Sequence, residues 1–195
     1  ADVLAATADR APHVANAQHA TLRQMFNWLS ERHLVETNPC AKIRRPTPAS
    51  VRDRVLSNDE VRRIWQAADQ LGHPWSTLIQ LLFLTGQRLN EVARMEWAEL
   101  NARATEWAIP AHRTKNKRPH ILPLSDAARD VIGQIAKIEG CPFVLTTNGK
   151  TPISGFSKAK ARLDQILASE AAGPLPAWRF HDLRRTVATG MARAG

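Results

Sequence analysis

The sequence predicts a mainly α-helical protein with a small antiparallel β-sheet, an α+β fold. Three observations carry this expectation. Apolar residues recur with the 3.6-residue helical period along most of the chain. Polar N-cap residues stand in front of several of those stretches. In the middle, two short apolar runs, Trp107-Ala108-Ile109 and His120-Ile121-Leu122, flank a polar, basic segment from Arg113 to Pro119, as the arms of a β-hairpin would.

Taken in order, the first helix carries Leu22, Met25, Phe26 and Leu29 on one face, with Trp28 beside that stripe. Asn38-Pro39 ends it, because the residue before a proline is pushed out of the helical region. The stretch 42 to 54 holds Lys42, Arg44, Arg45, Pro46, Pro48, Arg52 and Arg54 against one acid, Asp53. Proline and like charge favour an extended path, so it reads as a linker, either solvated or laid along a phosphate backbone.

A second domain opens on Ser57-Asn58-Asp59-Glu60, a capping box. Val61, Ile64, Trp65, Ala68 and Leu71 form the stripe behind it. A helix from about Pro74 to Leu84 is apolar nearly all round, as a central core helix is, and Thr85-Gly86 ends it. Another covers about Leu89 to Glu96. After the hairpin, Ser125 caps a helix with Val131, Ile132, Ile135 and Ile138 inside, and Phe143-Val144-Leu145 reads as a further strand. Ser154 caps a helix carrying Phe156, Ala159, Leu163, Ile166 and Leu167. A loop from Gly173 to Pro176 leads to a last helix from about Leu183.

Composition narrows the partners. The net charge is +9 on 195 residues, which points to a polyanion, with nucleic acid first. Hydrophobic residues make up 44%, enough for a packed core. The two cysteines, Cys40 and Cys141, are far apart and in no metal-site spacing, so they read as small core residues in a reducing compartment. No run is long enough to span a bilayer and no signal peptide opens the chain, so a soluble cytoplasmic protein is expected. Tyrosine is absent altogether.

Three segments carry candidate chemistry. Arg88 follows the core helix and a glycine turn, where a planar guanidinium fork would suit a phosphate; its ordinary reading is an ion pair with Glu91. Lys115 sits on the basic hairpin tip with Arg113, Lys117 and Arg118. There it is either phosphate-attracting surface or a general acid held against a leaving oxygen. His181 and Arg184 are three apart at a helix start, able to hold and protonate a phosphate ester, or simply a capping residue and a solvated charge.

Together the three segments resemble the tyrosine recombinase (phage integrase) family. There the first arginine lies in T-G-x-R-x-x-E, the lysine in a β-hairpin and the second arginine in H-x-L-R. This chain has T-G-Q-R-L-N-E at 85–91, T-K-N-K-R-P-H-I-L-P-L at 114–124 and H-D-L-R-R-T at 181–186. The stretch from Asn27 to Pro46, N-W-L-S-E-R-H-L-V-E-T-N-P-C-A-K-I-R-R-P, looks like the end of that family's core-binding domain and its linker. The resemblance implies residues 1–45 as the C-terminal part of a helical core-binding domain, 46–56 as a basic linker, and 57–195 as the catalytic domain.

It also implies roles. Arg88 and Arg184 would clamp the scissile phosphate, Lys115 would protonate the departing 5′ oxygen, and His181 would assist the acid–base step. Glu91 would support the site from behind. Lys115 is preferred to Lys117 because it keeps the family's spacing to Leu122-Pro123-Leu124; a two-residue register error would exchange them. Arg44, Arg45, Arg113, Lys117 and Arg118 would contact DNA. Neither metal nor other cofactor is implied, since a phosphotyrosyl bond conserves the energy of the cut strand. The implied partner is attachment-site double-stranded DNA, with a tetramer when full length, in a bacterial or phage-encoded cytoplasmic protein.

In the family a second histidine or tryptophan and then the nucleophilic tyrosine follow H-x-L-R, and neither occurs after Arg184 here. The expectation is therefore a fragment that binds DNA weakly and cannot cleave it. Type IB topoisomerases use a similar side-chain set, but the core-binding segment argues against one. A degenerate, non-catalytic DNA-binding integrase is the other alternative, and the intact Arg88, Lys115, His181, Arg184 set argues against decay. A helix-turn-helix regulator gives no reason for a lysine-bearing hairpin between two arginine motifs.

Overall fold

The computed structural model describes residues 2–48 and 53–195. They fall into two compact units, divided between Arg52 and Asp53. None of the helices described is long and apolar enough to cross a membrane.

The first unit is a helix pair, α1 (Asp2–Arg10) and α2 (Pro12–Glu31), packed on each other. Sequence periodicity predicted one helix. Ala11-Pro12 divides it, with Pro12 at the first helical position, where its missing N–H costs nothing. The stripe on one face of α2 is not buried within the unit: Met25 is 44% exposed, Leu22, Phe26 and Leu29 are half-buried, and Trp28 beside them is 49% exposed. The residues of α2 that are buried are Ala15 and His19. His19 Nε2 lies 2.9 Å from the Ile43 carbonyl, and the Asn16 amide exchanges two 3.1 Å hydrogen bonds with the Thr47 backbone. The chain to Thr47 is thus folded onto α2. Residues 49–52 of the expected strap lie outside the described residues. At its far end the strap is again engaged: Leu56 is buried and its N–H donates to Thr186 Oγ1 at 2.9 Å.

The second unit is built round one buried helix. Its helices are α3 (Asn58–Asp69), α4 (Trp75–Thr85), α5 (Leu89–Ala93), α6 (Asp126–Gly133), α7 (Phe156–Ser169) and α8 (Phe180–Ala194). α4 is packed by α3, α5, α6 and α8. It buries Leu78, Ile79, Leu81 and Leu82 almost completely, which its all-round apolar sequence predicted. Each such side chain contributes about 1.5–3 kcal/mol of transfer free energy. The capping box of α3 forms as expected: Ser57 Oγ accepts from Glu60 N at 3.2 Å, and Glu60 Oε2 accepts from Ser57 N at 2.9 Å.

The hairpin is also as predicted. β1 (Glu106–Ile109) pairs antiparallel with β2 (His120–Pro123), Trp107 opposite Leu122 and Ile109 opposite His120. Trp107 and Ile109 point to the core and alternate with exposed neighbours, the period-2 signature of a half-buried strand.

Five boundaries differ from expectation, and the first is α5, which ends at Ala93 and not near Glu96. Phe143-Val144-Leu145 makes a single bridge, Phe143 to Glu96, and two backbone bonds, Val144 N to Met95 O at 2.8 Å and Ile153 N to Leu145 O at 3.1 Å, rather than a strand. α6 stops at Gly133, leaving Ile138 49% exposed. α7 is preceded by Gly155 at φ +88° in place of a Ser154 cap. α8 starts at Phe180, not Leu183, because Arg179 N–H donates to Asp182 Oδ2 at 2.8 Å and sets the N-cap there.

The end of α4 fixes the next element. Gly86 adopts φ +60°, and a Cβ on it would lie 2.9 Å from Val187 Cγ1 on α8. Gly86→Ala therefore meets both backbone strain and a steric clash. It should destabilise the protein by about 1–3 kcal/mol in urea unfolding. A second change, Val187→Ala, should recover the steric part only.

Candidate active site

The left-handed turn at Gly86 reverses the chain so that Arg88 stands at the N-cap of α5 in extended conformation, φ −72° and ψ 147°. Thr85 stiffens the corner: its hydroxyl donates to Leu81 O at 2.6 Å and accepts from Gln87 N at 3.3 Å. Glu91, three residues into the motif, is buried to 3%. Its two carboxylate oxygens accept from Arg88 N at 2.9 Å and from Arg88 Nη1 at 2.7 Å. A buried carboxylate this close to a helix start also meets the positive end of the helix. Arg88 keeps the rest of its fork available, with 39% of the side chain exposed.

Arg184 reaches the same corner from α8. Its Nη1 donates to the Gly86 carbonyl at 2.7 Å, with Gln87 Oε1 at 3.5 Å, the edge of hydrogen-bonding range. The close approach of Gly86 to Val187 makes that reach possible. Two arginines that are distant in sequence are thus each held by one terminal nitrogen, Arg88 by Glu91 on α5 and Arg184 by the Gly86 carbonyl of the turn before it.

A cleft opens here. Arg88, Glu91 and Arg184 line it together with Thr114, Asn116, Arg118 and His120 of the hairpin. Three arginines against one carboxylate make its charge positive, and a guanidinium fork is matched to a phosphate or carboxylate in two-point contact. Thr114 shapes the tip: its Oγ1 lies 2.7 Å from Arg118 O and accepts from Arg118 N at 3.1 Å, while Lys117 N donates to Thr114 O at 3.2 Å. Thr114, Asn116 and His120 were not singled out in the sequence. Their one available signal was position, since they fall inside the T-K-N-K-R-P-H segment.

The remaining candidates are placed less closely. Lys115 and Lys117 are exposed on the tip, Lys117 at φ +53°, and neither lines the cleft. His181 is the second residue of α8, exposed, one turn before Arg184, and also outside the cleft lining. Arg44 and Arg45 are exposed in the first unit. Arg113 is a correction. It was expected to contact DNA, but its side chain is 9% exposed, ion-paired through Nη1 with Glu99, and its Nη2 donates to the Glu91 carbonyl at 2.6 Å. Its donors face protein, so it is not part of the basic surface.

Comparison with known proteins bears on this arrangement. The family model described as "Phage integrase family" matches residues 54–195. The integrase of Salmonella phage P22 is 27% identical over 98% of this chain and 49% of its own length. A shufflon-specific DNA recombinase of Escherichia coli is 26% identical over 85% of this chain and 40% of its own. The chain therefore spans about half the length of these relatives or less. Among solved structures, lambda integrase bound to DNA superposes with a TM-score of 0.75 at 21% identity, over 98% of this chain and 69% of that one. A lambda integrase tetramer bound to a Holliday junction gives 0.74 at 22%, over 95% and 56%. These likenesses confirm the fold expected of the catalytic domain, and the family match covers most of the sequence: the chain belongs to the phage integrase family of tyrosine recombinases.

Proposed function

We propose that this chain supplies most of the active site of a site-specific DNA recombinase, which cuts and rejoins attachment-site duplex DNA through a 3′-phosphotyrosyl intermediate. The observation that carries the reading is the convergence of Arg88 and Arg184 on one corner, each held by one nitrogen beside a positively charged cleft. In this reading the open parts of both forks bind the non-bridging oxygens of the scissile phosphate and offset the charge that builds up as it is attacked. Because the forks are held in place before DNA arrives, little reorganisation is needed at the moment of reaction.

Lys115, exposed on the hairpin tip, donates the proton to the departing 5′ oxygen once the tip closes on bound DNA, with Lys117 two residues away as the alternative donor. His181 assists the proton transfer from the start of α8. Glu91 holds Arg88. Arg44 and Arg45 from the first unit, and Lys117 and Arg118 from the hairpin, meet flanking phosphates. The nucleophile must come from outside these residues, as the chain has no tyrosine. The whole protein integrates or excises a mobile element or prophage, works as a tetramer on DNA, and does so in the bacterial cytoplasm, where its substrate is. The exposed hairpin lysines and the open forks give no comparable account of a helix-turn-helix repressor.

Binding of this chain to duplex DNA across a salt series tests the electrostatic half of the proposal. The logarithm of the affinity should fall linearly with the logarithm of salt concentration. Arg118→Ala, and separately Arg88→Ala, should each reduce the slope by about 1. No binding at low salt would count against the reading. Glu91→Gln leaves the phosphate contacts in place and should not change the slope. It weakens two charge-assisted hydrogen bonds, so unfolding in urea should show a loss of about 1–3 kcal/mol.

A further inference from the structure

We propose that Arg113 is a positioning residue, which with Glu99 locks the base of the lysine-bearing hairpin to the segment that carries Arg88. This rests on the recombinase reading above and adds a residue to it.

The bonding pattern is specific. Arg113 and Glu99 are both nearly buried, with side chains 9% and 7% exposed, and they are ion-paired. Glu99 Oε2 also accepts from Trp107 Nε1 at 2.9 Å and from Glu96 N at 3.2 Å, so the carboxylate is held by β1 and by the turn before it. The second terminal nitrogen of Arg113 donates to the carbonyl of Glu91 at 2.6 Å. That carbonyl is at the end of a five-residue helix. Met95 N–H, which would have met it had α5 continued, bonds Val92 O instead at 3.1 Å. Arg113 therefore satisfies one of the carbonyls that a helix end leaves open.

Glu91 is thus a node. Its carboxylate fixes Arg88 in front, and its carbonyl is held by Arg113 behind. Arg113 itself ends the short 3₁₀ turn Ala111–Arg113, two residues before Lys115. One guanidinium spans both segments through two terminal nitrogens held at a fixed separation; a lysine ammonium would have to reach both acceptors from a single nitrogen. Its consequence for the reaction is a fixed spacing between the phosphate-binding arginine and the root of the tip that carries the proton donor. A misplacement of about 1 Å at such a site is enough to cost rate.

The test separates positioning from general stability and from DNA contact. Two variants are made in this chain: Arg113→Lys, which keeps the ion pair and loses the fork, and the pair Arg113→Met with Glu99→Gln, which leaves no lone buried charge. Amide hydrogen exchange is followed residue by residue. Positioning predicts about tenfold faster exchange at Lys117 and Arg118 in the tip and at Arg88, with α4 amides changed less than about twofold. Acceleration by one common factor throughout the second unit, or none in the tip, would overturn it. The DNA salt slope of the Met/Gln pair should equal that of the unaltered chain, and a fall of about 1 would mean Arg113 touches phosphate after all. Exchange is read without DNA, so its outcome stands apart from the recombinase reading, which fails instead if the unaltered chain does not bind duplex DNA.

Discussion

The second unit depends on the burial of α4 and on how that helix stops. A helix surrounded by α3, α5, α6 and α8 has no free face on which to adjust its end. Its last turn must reverse within a space that α8 already crowds, and a residue without a Cβ is what fits at Gly86. Everything chemically interesting follows from that corner. Arg88 emerges from it at a defined angle, and the Gly86 carbonyl is the acceptor on which Arg184 rests. The apolar core therefore sets the separation of two cationic side chains that lie far apart in sequence.

A second constraint is electrostatic. Bringing several arginines together in a small volume is unfavourable unless each is partly compensated. The structure compensates unevenly. Arg113 is nearly buried with both terminal nitrogens bonded, Arg88 shares its charge with one buried carboxylate, and Arg184, among the described residues, bonds neutral oxygens. The gradient runs from a structural cation behind the cleft to less satisfied cations lining it. A phosphate entering the cleft would complete the compensation, which is why the pattern suits an anion-binding role better than a purely structural one.

Much of this was legible in the sequence. The capping box at Ser57, the all-round apolar α4, the glycine stop and the period-2 hairpin are local rules, and local rules fixed those elements. Motif spacing singled out Arg88, Glu91 and Arg184, and the structure brings these three side chains to one corner. What was not legible depends on tertiary context. Arg113 and Arg118 look alike in a basic run, and the ion pair with Glu99, a carboxylate itself held by Trp107, separates them. The stripe of α2 has helical period, yet Met25 and Trp28 stay exposed within the first unit, because period alone does not say what covers a face. Phe143-Val144-Leu145 had strand composition, but a single bridge and two backbone bonds, to Met95 on one side and Ile153 on the other, are too few for a ladder. The α8 start was misplaced because the capping acid, Asp182, lies inside the H-D-L-R segment, where attention went to His181 and Arg184 and not to a cap.

The most direct measurement of the central claim is covalent capture. A form of this protein extended beyond Gly195 through a C-terminal tyrosine would be incubated with a nicked duplex that traps the cleaved strand, and the products separated under denaturing conditions. The account predicts a protein–DNA adduct through that tyrosine, strongly reduced when Arg88 or Arg184 is replaced by alanine. An adduct that persists unchanged in both variants would contradict the clamp, and the absence of any adduct from the unaltered extended protein would contradict the recombinase assignment itself.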